Sequence, residues 1–250
     1  MRLLAILFAL AFGLATGAVQ AAPDDAASLV GKANAKFKQG DLNGAIADYT
    51  RAVEVDPKYA IAYNNRGLVK RANGNMTGAV SDFSKAIELD PKNVDAYTNR
   101  GQLRYERKAW NEALADYRRL RELQPNDDYT RYRIWLVRSR LGERQTATAE
   151  LKEYLSKQPA SAKNEWSRKI GAFLSDQLPE SNFLEAAAAK DDKTAKERRC
   201  EAYYYAGSKR LLVGHKDTAR RYFEQSLQTG QKTFEEYKNA SAELVALNKP

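Results

Sequence analysis

The sequence predicts an all-α array of antiparallel helix pairs, and three periodic signals carry that prediction. Ala45, Ala79, Ala113 and Ala147 stand 34 residues apart, each followed four residues later by a large apolar side chain (Tyr49, Phe83, Tyr117, Leu151). Pro57, Pro91, Pro125 and Pro159 keep the same interval. Gly40, Gly74 and Gly142 precede three of those alanines by five residues, and Lys108 replaces glycine at the remaining position. Each residue type has a local task. A small residue lets two helices approach, and an aromatic one turn on fills the space between pairs. Glycine supplies a turn with positive φ, and proline closes the second helix. Self-similarity at this interval is the mark of a repeat architecture.

The first 21 residues stand apart. Arg2 gives a positive start, 3–14 is almost wholly apolar, and Val19-Gln20-Ala21 offers a small-residue cleavage site. This reads as a secretory signal cut after Ala21, with 22–25 as a short linker. The apolar run is shorter than the ~20 residues needed to span a bilayer. No later stretch is apolar enough for a transmembrane segment after signal removal. A lipid-accepting Cys would stand at the cut, where the chain has Ala21-Ala22-Pro23. The expectation is an exported, soluble, non-lipidated periplasmic protein. The single cysteine, Cys200, cannot make an internal disulfide, and its place at the start of a helix is expected.

Four regular repeats then follow at 26–59, 60–93, 94–127 and 128–161. Gly67 and Gly101 share a further register, in which Ala33 and Trp135 replace glycine. Segment 162–199 is a divergent helical unit carrying Trp166, Phe173, Phe183 and the alanines of 186–189. A further repeat at 200–233 returns to the pattern with Gly207, Gly214, Ala219 and Phe223. The stretch 234–250 reads as a capping helix and tail, with Phe234, Tyr237, Ala240, Leu244 and Leu247 on one stripe.

The second repeat (Tyr63, Gly67, Gly74, Ala79, Phe83, Ala86, Pro91) resembles the tetratricopeptide repeat, and the resemblance covers 26–161. It implies a right-handed superhelical solenoid whose first helices line a concave groove, and it implies protein binding there. In that register the groove presents Asn34, Phe37 and Lys38, then Asn65, Leu68 and Arg71. Asn99, Gln102 and Tyr105 follow, then Arg133, Leu136 and Arg140. Asparagine amides can hold a peptide backbone, and arginines a carboxylate. Some cytosolic members clamp chaperone C-termini with a two-lysine, two-asparagine, one-arginine set. This chain matches only the asparagines, at Asn34 and Asn65. Val30, Asp95 and Asn99 occupy the other places, so that clamp is excluded. The C-terminal part, with 200–207 (CEAYYYAG), Thr229-Gly230 and Phe234-Glu-Glu-Tyr, is similar to NlpI-type bacterial envelope proteins. That similarity implies an adaptor for a periplasmic protease or cell-wall hydrolase.

Neither a catalytic set nor a metal or cofactor motif is visible. The only histidine, His215, lies in a repeat turn, and the glycine dipeptides are turns rather than phosphate loops. The chain is therefore read as a non-enzymatic scaffold for a protein partner, with a homodimer left open. Its net charge is +9. Eleven arginines crowd into 100–144, which defines an alternative: binding of an anionic envelope polymer. Nucleic acid is excluded as a partner by the export signal.

Overall fold

A computed structural model describes residues 25–159, 161, 164–189 and 191–248. The expected signal and its cleavage site lie outside the described residues. Among them are thirteen helices and no strands. Eight form four successive pairs: α1 (Ala26–Lys38) with α2 (Leu42–Val55), α3 (Ala60–Ala72) with α4 (Met76–Leu89), α5 (Val94–Glu106) with α6 (Trp110–Leu123), and α7 (Asp128–Arg140) with α8 (Arg144–Lys157). Two shorter helices follow, α9 (Glu165–Leu174) and α10 (Glu180–Ala186). Then come α11 (Asp192–Leu212), α12 (Lys216–Gln228) and α13 (Glu235–Leu247). No described helix is long and apolar enough to cross a membrane.

Side-chain caps start many of these helices. Asp25, Asp41, Asn75, Asn93 and Asp191 each accept a hydrogen bond from a backbone N–H three residues on. The turns inside the pairs need a left-handed residue, which Gly40, Gly74, Gly142 and Gly214 supply. At the one turn without glycine, Lys108 takes the same conformation, with φ 60°.

Each pair is held by a ring from the second helix packed on a small residue of the first. A Cβ on Gly67 would stand 2.7 Å from Phe83, and one on Gly207 would stand 2.7 Å from Phe223. Glycine and ring are thus one unit. In the first pair Ala33 and Tyr49 hold these positions. In the fourth the bulk changes sides: Trp135 replaces the glycine and Leu151 the ring. Trp135 is fully buried and donates Nε1–H to Thr148 Oγ1 at 3.0 Å.

A second, polar connection runs along the regular pairs. Asp48, Asp82 and Asp116 are buried on α2, α4 and α6. Arg66 donates to both Asp82 oxygens (2.9 and 2.8 Å), and Lys70 adds an ion pair at 2.8 Å. Arg100 holds Asp116 in the same fork (3.1 and 2.7 Å), with Arg104 at 2.6 Å. Lys36 meets Asp48 at 2.6 Å. Each fork also reaches back one pair: Arg66 to Thr50 Oγ1 and Arg100 to Ser84 Oγ.

Beyond α8 the period breaks. Trp166, Phe183 and Phe173 stack in sequence, with centroids 5.5 and 4.3 Å apart. The helix α11 then runs unbroken across the junction expected at 199/200. Nothing in 192–206 is a glycine or proline, and the Lys196–Asp192 pair supports the added turns. Cys200 is consequently in the middle of α11 rather than at a helix start. It is fully buried, and burial pushes its thiol up.

Two stability changes follow. Replacing buried Asp116 by Ala strands two half-buried cations and is expected to cost about 3 kcal/mol in urea unfolding. Lys108→Gly relieves the left-handed strain and is expected to raise stability by about 0.5–1 kcal/mol in the same measurement. A neutral Asp116→Ala would remove the ladder from the account of stability.

Candidate partner-binding face

The first helices α1, α3, α5 and α7 turn one face inward, and the nine polar positions expected to line it fall into two groups. The division comes from the C-terminal helices, which fold back onto α5 and α7.

At the N-terminal end the face is open. Phe37 and Lys38 are exposed. The asparagines here are half-buried and bind within the chain. Tyr49 donates its OH to Asn34 Oδ1. Asn64 donates to Asn65 Oδ1 at 3.2 Å, and Asn99 donates to Asn64 Oδ1 at 3.0 Å. Arg71 pairs with Glu106 at 2.5 Å, joining α3 to α5. These amides thus knit adjacent pairs together, while Lys38 carries free charge toward solvent.

At the other end the expected groove lining is covered. Gln102 and Tyr105 are buried, and Arg133 and Arg140 are half-buried. Tyr105 OH lies 3.2 Å from Tyr204 OH on α11, although 99 residues separate them. Arg140 donates to Glu243 of α13 at 2.5 Å, and both side chains are largely buried. Its guanidinium also lies 5.6 Å from the Trp110 ring centroid. The expectation of open groove residues at Gln102, Tyr105, Arg133 and Arg140 is therefore corrected. A straight array would leave them free; this one curls until α11 and α13 meet them.

The arginine-rich stretch is largely spent inside the fold. Arg100 and Arg104 hold Asp116, Arg138 holds Glu143 and Glu150, and Arg119 pairs with Glu122. Arg131 lies 3.7 Å over the Tyr154 ring.

Sequence reading missed a pair of acids where α11 and α13 meet. Glu201 accepts from Trp166 Nε1 at 2.5 Å and faces Tyr129 from α7 and Glu197 from its own helix. Glu236 accepts from Tyr205 OH at 3.1 Å and faces Arg133 and Glu235. Burial pushes both carboxyls up; repulsion from Glu236 adds to it at Glu201, which rises to about 7, while at Glu236 Arg133 pulls against burial and Glu235 adds to it. Their sequence signal was a glutamate on an otherwise Ala/Tyr face of α11. His215 caps α12 at a turn near Arg210, and no metal-binding group of acids, His or Cys occurs among the described residues.

Comparison with known proteins agrees with this geometry. A sequence family described as TPR repeat matches residues 33–74 and 67–107. The first TPR of Spaghetti (RPAP3), solved bound to an HSP90 peptide, is 30% identical. The match covers 94% of that domain and 47% of this chain, with TM-score 0.45. The Arabidopsis OM64 TPR domain is 31% identical over 93% of its length and 45% of this chain, with TM-score 0.42. MamA matches in fold at 18% identity, over 92% of its length and 83% of this chain, with TM-score 0.51. No curated protein sequence matches the chain. A stack of helix hairpins with an inward binding face is the class defined here. The chain belongs to the tetratricopeptide-repeat family.

The acid pair sets a pH dependence. A carboxyl raised in the folded state binds a proton that the unfolded chain has already released. Stability is then greatest below the unfolded value near 4.5 and is lost as pH rises through about 7. The melting temperature is expected to fall between pH 5 and pH 8, and Glu201→Gln should flatten most of that slope. An unchanged slope in that variant would assign the dependence to other groups.

Proposed function

We propose that the protein is an exported scaffold that binds a protein partner through the open N-terminal stretch of its inner face. The protein-interaction class follows from the repeats themselves and from relatives whose structures hold peptides. The observation that carries the finer reading is the contrast along the inner face. Lys38 and Phe37 are free and exposed, while the equivalent surface of α5 and α7 is already covered. Export is supported by the signal-like start of the sequence, and the periplasm is the compartment that start implies. There the scaffold serves as an adaptor for a protease or a cell-wall hydrolase. This partner class rests on the resemblance of the C-terminal part to envelope adaptors. Polymer binding through 100–144 is the weaker reading, because the arginines that suggested it hold the helices together.

Two measurements test the proposal. Mass spectrometry of envelope-extracted protein should find a chain beginning at Ala22; a retained 1–21 would remove the soluble periplasmic assignment. Crosslinking capture should recover a hydrolytic enzyme with the native chain. Recovery should fall at least about tenfold for Phe37→Ser with Lys38→Glu. Both side chains are exposed, so the melting temperature should hold. Undiminished recovery would move the binding surface elsewhere.

A further inference from the structure

The helix α13 is an odd cap. A permanent cap turns apolar side chains inward, yet the buried residues of α13 are Glu236, Asn239, Ala240 and Glu243. Its Leu244 and Leu247 are half-buried, and Val245 is 59% exposed. The surface beneath is complementary in charge. Arg140 pairs with Glu243, and Arg133 faces Glu236.

That seam is also imperfect. Arg140 Nε, Glu235 Oε2 and Asn239 Oδ1 are buried atoms with no hydrogen-bond partner, and all three lie along it. Such orphaned groups cost free energy in the docked state and cost nothing once water reaches them. The link from α12 is short and contains Gly230 at φ 71°, a left-handed position favourable to glycine. Ala240 joins the core and Leu244 and Leu247 pack against it, so apolar contact holds one side of the helix while the two charge pairs hold its side toward α7, at one end of the protein's own interaction face.

We propose that the inner face of α5 and α7 is a docking site for an acidic helix, that α13 is its resident occupant, and that a partner helix with carboxylates at i and i+7 displaces it. The spacing is that of Glu236 and Glu243, which brings both carboxylates to one side two turns apart. Arg133 and Arg140, also seven residues apart on α7, match it. This deepens the scaffold reading by giving a second stretch of the inner face its ligand chemistry. Arginine supplies the specificity, and the tether explains the default state. A short linker gives α13 a local concentration in the millimolar range, so a free helix must bind well to compete.

The test uses the full chain and a labelled synthetic peptide of residues 234–248. Binding to the native chain should be weak, because the site is filled. Glu236→Gln with Glu243→Gln weakens the resident helix, and peptide affinity should rise at least about tenfold. Adding Arg140→Ala should abolish that gain, and a peptide with Gln at both glutamates should not bind. Equal affinity for native and double-variant chains, or binding indifferent to Arg140, would overturn the proposal. Hydrogen exchange on the unmodified chain guards against a variant that fails to fold. Amides of 235–247 should exchange at least about tenfold faster than those of α12, and equal protection would overturn displacement. A native dimer with Arg140–Glu243 running between copies would make the occupant a second copy and would also overturn it. The peptide assay is independent of envelope capture, so either reading can fail alone.

Discussion

The buried aspartate of each regular pair is the constraint from which the architecture follows. Asp82 takes a two-bonded fork from Arg66 and an ammonium from Lys70, and Asp116 repeats the arrangement with two arginines. Two cations share one buried carboxylate, so removing the aspartate leaves both without a counter-charge, whereas removing one cation leaves a matched pair. Geometry matters as much as energy. The fork fixes the angle between the two helices of a pair, and its remaining nitrogen reaches the preceding pair. Apolar contact between alanines and rings would tolerate sliding; a bidentate fork does not. The ladder therefore sets the register in which the inner-face residues stand.

The ladder also explains where the array changes character. In the fourth pair Ile134 replaces the forking arginine and Glu150 the aspartate, while Trp135 and Leu151 exchange bulk across the interface. Arg138 still pairs with Glu143 and Glu150, but both acids are well exposed. Packing there is taken over by tyrosines: Tyr132 packs edge-on to Tyr205, and Tyr105 meets Tyr204. Rings with hydroxyl ends can fill a closing space and still satisfy a buried polar atom. The curl that brings α11 and α13 onto α5 and α7 thus starts where the charged ladder stops.

These two regimes differ in how well the sequence discloses them. Ala79, Phe83, Gly74 and Pro91 were legible because each does a local task that recurs every 34 residues. The aspartates recur at the same interval, yet an acid on an amphipathic helix reads as solvated, and only its burial reveals the ladder. Lys108 is the reverse case. Its position predicted a turn, and the structure shows a lysine accepting the glycine conformation. The covered half of the inner face was not legible at all. The Tyr105–Tyr204 contact joins residues 99 apart, across a segment that has lost the repeat. Reading the groove from family register assumes a curvature, and one altered pair changes it.

Counting charge misled for a related reason. The arginines of 100–144 looked like a surface feature because their number exceeds the local acids. Their partners, however, include Glu150 and Glu243, which lie outside the stretch. A repeat protein also places ion pairs between units, so a window of sequence contains only one member of some pairs, as with Arg71–Glu106, Arg138–Glu150 and Arg140–Glu243. The net charge of such a window measures connectivity rather than exposed potential. Arg107, Lys108 and Arg118 stay exposed within the stretch, but of the expected inner-face cations only Lys38, at the N-terminal end, is exposed. The same geometry that buries the arginines therefore leaves that end of the inner face uncovered, which is the contrast on which the proposed binding surface rests.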